Sequence, residues 1–341
     1  MDRSCLTTAV LFACAACHGH PPAVSVTSST DLGVLRDARA PGLLRDGGAG
    51  VLLGGKLLWM FGDTLFSPAS VDGASYRSNS AATAELSSPL ALSEPLDAKG
   101  APAQFLPFTS EEAAYNAASG RPDERIALWP GHLVPLPDGT ALLLFGKLKI
   151  HPGVLNYEFL GTGLATVTAG HATAARSPAP IFAAPEPDFS HAAALQDGKL
   201  YLFACSTVGA CRVGRAPLAS AATRSAYEFW TGSAWSPELA NAAASVPGST
   251  SGFDLGWNAS LGRWLSITHP AFSAGAELRT APAPEGPWSD PVRAFTAAGP
   301  IYATYLHPEL DTAGSQRIHV SYFLPLPNFQ GELHVVELTL K

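Results

Sequence analysis

The chain is poor in charge: Asp, Glu, Lys and Arg make up only 14% of its 341 residues, and the formal net charge is −7. No basic stripe is present, which gives nucleic acid no electrostatic footing as a partner. Long segments with helical periodicity and a charged face are also missing, which argues against a helical protein. No glycine-rich phosphate loop stands between a strand and a helix, so no nucleotide cofactor is expected. Gly-x-Ser-x-Gly does not occur, which removes the strand-to-helix serine nucleophile. Asp46 and Asp63 lie in no contiguous loop of oxygen ligands, so no metal is expected either.

Cysteine is scarce too. Three of the five, Cys5, Cys14 and Cys17, fall within the first 17 residues. The other two, Cys205 and Cys211, flank Ser206 to Ala210, which reads as a tight connection between strands. A local disulfide is expected there in an oxidising compartment. Two cysteines without a nearby His pair exclude a zinc site.

The first 17 residues have the form of a secretory leader: Arg3, then an uncharged run from Ser4 to Cys17 that is too short to span a bilayer. Cys17 after Ala15-Ala16 resembles a bacterial lipoprotein acceptor, with Cys14 after Leu11-Phe12-Ala13 as a competing site. The expected product is exported: an outer-membrane or cell-surface lipoprotein, or a secreted or periplasmic protein. It would touch a membrane only through such an anchor. Residues 18–30, with Pro21-Pro22 and several Ser and Thr, read as a tether.

What the chain has in quantity is turns, with 32 Gly and 29 Pro. They punctuate a unit that recurs five times: an apolar run, a glycine-centred turn and a second apolar run. Val51-Leu52-Leu53 turns at Gly54-Gly55 into Leu57 to Phe61. Leu133 to Leu136 turns at Asp138-Gly139 into Ala141 to Phe145. Ala193-Ala194-Leu195 turns at Asp197-Gly198 into Leu200 to Phe203. Trp257 to Ser260 turns at Leu261-Gly262 into Trp264 to Ile267. The loosest copy puts Leu306 to Leu310 before Gly314 and Ile318 to Tyr322. Asp-Gly or Gly-Gly between short apolar runs is a strong hairpin signal. The glycines are 84, 59, 64 and 52 residues apart, the length of a four-stranded blade with its loops. An Arg-x-Ala-Pro-like strand followed by Trp-Ser also occurs twice, at Arg215 with Trp235-Ser236 and at Arg279 with Trp288-Ser289. The prediction is an all-β chain: a single five-bladed β-propeller over 31–341, expected as a monomer.

In a propeller the innermost strands converge on a central channel, so polar groups near their ends share a funnel. Blade one offers Arg45, Asp46 and Asp63; blade two, Trp129 and His132; blade three, Glu186, Asp188 and His191. Blade four offers Asp254 and Asn258, and blade five Tyr305, His307 and Glu309. Asp46 stands out because two glycines follow it, immediately ahead of the first apolar run. Asp63 follows the most apolar strand, in Gly62-Asp63-Thr64, where an Asx-turn cap is the alternative. Two carboxylates across a funnel are what glycoside hydrolysis needs, one as acid and one as base. Aromatic rings such as Trp129, Phe253 and Tyr305 present flat faces to sugars. The same inventory would suit a binding site without turnover.

The runs Arg45-Asp46-Gly47-Gly48 and Trp59-Met60-Phe61-Gly62-Asp63-Thr64 resemble the bacterial domain of unknown function family 4185. That family is itself similar to five-bladed propeller glycosidases. Arg125 to Gly131, Tyr227 to Trp235, Leu278 to Trp288 and Leu306-His307-Pro308-Glu309 extend the likeness from about residue 31 to the end. The resemblance implies a secreted protein that acts on or holds carbohydrate. In arabinanase-like propellers an Asp before the first inner strand is the general base, and Asp46 stands where it falls. Their third-blade acid falls near Phe189, close to Glu186 and Asp188. Their second-blade Asp falls near Gly131-His132, where this chain has no carboxylate. The expected function is a glycosidase-like propeller acting on polysaccharide or a cell-surface glycan, with Asp46 as base and Glu186, Asp188 or Glu309 as candidate acids. The alternatives are a propeller that binds glycan or a surface partner without turnover, and a structural envelope lipoprotein.

Overall fold

A computed structural model describes residues 24–341 except 122, 154, 178, 207, 208, 328 and 329. Cys17 and the leader lie outside the described residues. Of the expected tether, 18–23 lie outside as well. Its last part is not a tether, because Val26–Val34 is a strand paired with Gln330–Leu340.

Five antiparallel sheets form the blades of a propeller. Their inner strands are Leu44–Leu53, Arg125–Pro135, Ala192–Gln196, Phe253–Asn258 and Tyr302–Leu306. Each inner strand touches the inner strands of the blades before and after it, and the fifth touches the first, so the ring is closed. The closing device is the last sheet. Its three inner strands, Tyr302–Leu306, Arg317–Leu326 and Gln330–Leu340, come from the C-terminal end, and its outer strand is Val26–Val34.

The predicted hairpins are present because their turns carry the required chemistry. Leu53 pairs with Lys56 across Gly54-Gly55, whose φ angles are 57° and 81°. A two-residue turn with both φ positive matches the twist of the flanking strands, and glycine adopts it without a Cβ penalty. The fifth copy differs from expectation. Its inner strand ends at Leu306, and Pro308–Leu310 is a 3₁₀ turn in a longer connection. Trp288-Ser289 likewise precedes the outer strand of blade four, Val292–Thr296, instead of forming it. One element was not foreseen, the helix Ser110–Ser119 between blades one and two. Thr109 caps it and Glu112 returns the bond, the reciprocal pattern of a capping box. Glu112 is anchored in turn by Arg176 at 2.5 Å and Lys147 at 2.7 Å.

Strand alternation sends half of each strand's side chains into the gap on either side, so the core is divided among the gaps. Among the described residues there are five apolar clusters, one per gap. Val51 and Leu53 meet Leu133, Leu143 and Phe145 between blades one and two. Trp59 and Phe61 meet Phe323, Leu333 and Val335 between blades one and five. The Cys205 and Cys211 sulfurs are bonded, across directly paired residues of blade three.

Asn79 ties blade one to blade two. It is fully buried, donates to Leu128 O at 3.1 Å and accepts from Leu106 N at 2.7 Å. Its removal would strand two buried backbone groups. Asn79→Ala is expected to lower the unfolding free energy by about 3 kcal/mol, measured by chemical denaturation.

Candidate functional site

The site begins with a fault in the first hairpin. The ladder runs Arg45 opposite Thr64, then jumps to Gly47 opposite Phe61, so Gly62 and Asp63 on the second strand together oppose the single residue Asp46, a β-bulge. Gly47 takes a φ of 85° there. A Cβ on Gly62 would overlap the Asp46 carboxylate, so the absence of a side chain lets the two acidic residues approach. Both lie inside strands: Asp46 is within the first inner strand instead of ahead of it, and Asp63 is within the second strand instead of in a turn after it.

Asp63 does not cap a turn. Its carboxylate accepts from Tyr76 Oη, from Trp129 Nε1 at 2.8 Å and from Arg125 Nη2 at 3.1 Å. Arg125 also donates to Tyr76 Oη at 2.8 Å and lies 4.1 Å over that ring. Asp46 accepts a side-chain hydrogen bond from Tyr302 Oη at 3.0 Å. Burial, and next the charge of Asp63, push the Asp46 carboxyl up to about 7. Asp63 is also raised by burial, opposed by Arg125, Tyr76 and Trp129. Asp63 still keeps 26% of its side chain open to water, which puts the pair in a deep but accessible recess.

The channel below is crossed by a second group. Asp254 Oδ1 of blade four lies 2.8 Å from His132 Nδ1 of blade two, off the line of a well-formed hydrogen bond. Asp254 Oδ2 accepts from Leu306 N of blade five at 2.8 Å. Tyr305 stands between the two acidic levels: burial, then Asp254, then Asp46 raise its proton affinity. On the blade-three side, Asp188 Oδ1 accepts from Ser190 N, Ser190 Oγ and Thr162 Oγ1 at 2.9, 2.6 and 3.1 Å. Asp188 Oδ2 faces Gly146, which is paired with Trp129. His191 Nδ1 lies 2.9 Å from the Asp188 carbonyl.

Other expected site residues are placed elsewhere. Arg45 is turned away from the funnel into a buried ion pair with Glu94 and lies 3.9 Å over Phe61. Glu186 is held by Arg224 at 2.6 Å, on a guanidinium packed over Phe182 and Phe229. His307 and Glu309 belong to the far end of the channel. They meet Gly50, four residues down the strand from Asp46, roughly 13 Å at strand rise. There His307 bridges Glu309 Oε1 and Ser321 Oγ, each at 2.7 Å, with no exposure to water. Asn258, at the end of its strand, accepts from Leu261 N and shapes the hairpin turn.

Tyr76, Arg125 and Tyr302 were not singled out from the sequence. Tyr302 precedes Tyr305 by three residues, and Arg125 opens the Arg-Ile-Ala-Leu-Trp run, but neither has a local mark of its role. Tyr76 is brought in by strand pairing alone, opposite Leu65.

The propeller that carries this site has known counterparts in fold. Residues 165–324 match the family described as a domain of unknown function, DUF4185. No curated protein matches the chain by sequence. A Bacteroides ovatus protein described only provisionally as a hydrolase is 16% identical with a TM-score of 0.62, covering 89% of this chain and 87% of that one. The catalytic domain of the Coprinopsis cinerea GH62 α-L-arabinofuranosidase is 11% identical with a TM-score of 0.55, covering 92% and 98%. A GH43_1 enzyme from Xanthomonas citri is 11% identical with a TM-score of 0.51, covering 90% and 89%. At these identities the likeness establishes the fold, which this chain shares with glycoside hydrolase propellers.

The raised Asp46 carboxyl has a consequence for stability. The folded state holds this proton above the ordinary value of 3.8, up to about 7. Between those limits the unfolded chain gives up a proton that the native protein keeps. The site's contribution therefore falls as pH rises from about 4 to about 7 and is constant outside that window. Urea denaturation at several pH values is expected to show this decline, and Asp46→Asn to flatten it.

Proposed function

We propose that this protein is an exported, glycoside hydrolase-like propeller that acts on polysaccharide or a cell-surface glycan, with Asp46 as its central proton-transfer group. The observation that carries this reading is the recess at the head of the first inner strand, where Asp46 is held near neutrality in its titration and remains within reach of solvent. A base poised near the working pH is well matched to removing a proton from water. In the proposed reaction Asp46 takes that proton as the water oxygen attacks the anomeric carbon. The glycosidic bond breaks with its electrons on the leaving oxygen, which receives a proton from the acid.

Asp188 is the candidate acid. Its Oδ1 is fixed by three hydrogen bonds, while Oδ2 has no hydrogen-bonding side chain against it among the described residues. Trp129 and Tyr157, ring centroids 5.3 Å apart, offer an edge-on aromatic pair beside Asp63 for a sugar face. Export and an anchor on Cys17 belong to the same proposal and rest on the leader read from the sequence.

A second reading, glycan binding without turnover, is favoured by one observation: His132, engaged with Asp254, occupies the region where arabinanase-like propellers carry a second-blade Asp. A panel of arabinans, xylans, fructans and bacterial surface glycans separates the two. Hydrolysis by the purified protein is expected to fall by about 10²–10⁴-fold in Asp46→Asn and in Asp188→Asn, with binding retained. Binding to a glycan with no sugar released would establish the second reading. Silence in both assays would overturn both.

A further inference from the structure

Asp46 and Asp63 meet in the bulge with unequal support. Tyr76, Trp129 and Arg125 all donate to Asp63, and Arg125 adds a positive charge. Among the described residues, Tyr302 alone donates a side-chain hydrogen bond to Asp46. Donors and a guanidinium favour an ionised carboxyl, and a fixed negative charge beside a second carboxyl disfavours its ionisation. The proximity is built into the backbone, because Gly62 has no Cβ to keep the Asp46 carboxylate away.

The groups around Asp46 reinforce the inequality. From its own hairpin it faces Asp63. From blade five come Tyr302 and Tyr305, both pushed far above the ordinary phenol range by burial first and so neutral. From blade two, Arg125 is engaged with Asp63, and His132 is engaged with Asp254 on the other side of Tyr305. No side chain within this set puts a cation directly on Asp46.

We propose that Asp63 is a positioning residue: its carboxylate, held by Tyr76, Trp129 and Arg125 against the Asp46 carboxyl, adds to burial in strengthening the hold of Asp46 on its proton, and so shifts the pH range in which Asp46 can serve as a base. The catalytic half of this statement rests on the reading of Asp46 as a proton-transfer group. The titration half stands without any substrate. It also gives the three donors on Asp63 a purpose that glycan contact alone does not, since they hold a charge against its neighbour.

Carboxyl ¹³C NMR of the aspartate-labelled protein, followed through pH, reads the effect directly. The wild type is expected to show one carboxyl titrating near neutrality, absent from Asp46→Asn. In Asp63→Asn that transition should move down by about one pH unit or more. Arg125→Gln keeps both carboxyls but removes the cation, and should move the same transition upward. A transition that stays in place in Asp63→Asn overturns the proposal. Should that variant fail to fold, an unmoved transition in Arg125→Gln overturns it equally. Where a hydrolysed glycan is found, the acidic limb of kcat/KM should shift with the NMR transition, which loss of packing alone would not produce. Absence of hydrolysis in the wild type would remove the glycosidase reading and leave the titration result standing.

Discussion

Everything at the funnel depends on closing a ring of five sheets, and the closure is made by one strand. Val26–Val34 supplies the outer edge of a blade whose other strands come from the opposite end of the chain. Backbone hydrogen bonds along that edge hold the N-terminal strand in the fifth blade, and the chain runs on from it into the first blade, where Asp46 comes within 3.0 Å of Tyr302, 256 residues away. The apolar clusters in the gaps act in the same direction. Each gap must be filled from both sides, so no blade can rotate without exposing its neighbour's core. The inner strands are therefore held in one relative position, which gives the funnel a defined shape without loops having to build it.

Inside that frame, the treatment of carboxylates separates structure from site. Glu94 is paired with Arg45, Glu112 with Arg176 and Lys147, and Glu186 with Arg224. Each of these neutralises an acid with a nearby cation, as buried charge requires. Asp46 is treated differently: it is half-buried beside another acid, with a phenol as its side-chain donor and, among the described residues, no cation paired with it. Such an arrangement opposes folding at neutral pH, and nothing in the packing of blade one requires an acid at this bulge. An unneutralised carboxyl that the fold tolerates at an open recess is characteristic of a group kept for its proton.

Much of the fold was legible because hairpin turns and apolar alternation are local properties. Gly54-Gly55 and Asp197-Gly198 announce their turns in two residues, and the spacing of five such signals carries the blade count. The last blade was read less well because its inner strand, Tyr302–Leu306, is short and its connection runs through a 3₁₀ turn. The site was legible only in part. Asp46, Asp63, Trp129, His132, Asp254 and Tyr305 do converge, since strand ends point where topology sends them. Arg45 and Glu186 were misjudged because the cations or acids that capture them lie 49 and 38 residues away in sequence. Tyr76 and Tyr302 were missed for the converse reason: their partners are chosen by strand register and ring closure, not by any neighbour in the chain.

The far end of the channel shows why hydrogen-bond geometry alone does not define chemistry. Glu309, His307 and Ser321 form an acid–imidazole–hydroxyl relay with two 2.7 Å contacts, the order found in serine nucleophile sites. Yet His307 and Ser321 are wholly buried, and Trp59 lies 4.7 Å from the imidazole, ring to ring. Ser321 also reaches the carbonyl of Gly48 in blade one, so the relay fastens the fifth blade to the first. A nucleophile needs room for the atom it attacks, and this one has none. The Asp46 recess, where a carboxyl with a phenol as its side-chain donor stands beside a second carboxyl, has the access to water that the better-bonded relay lacks.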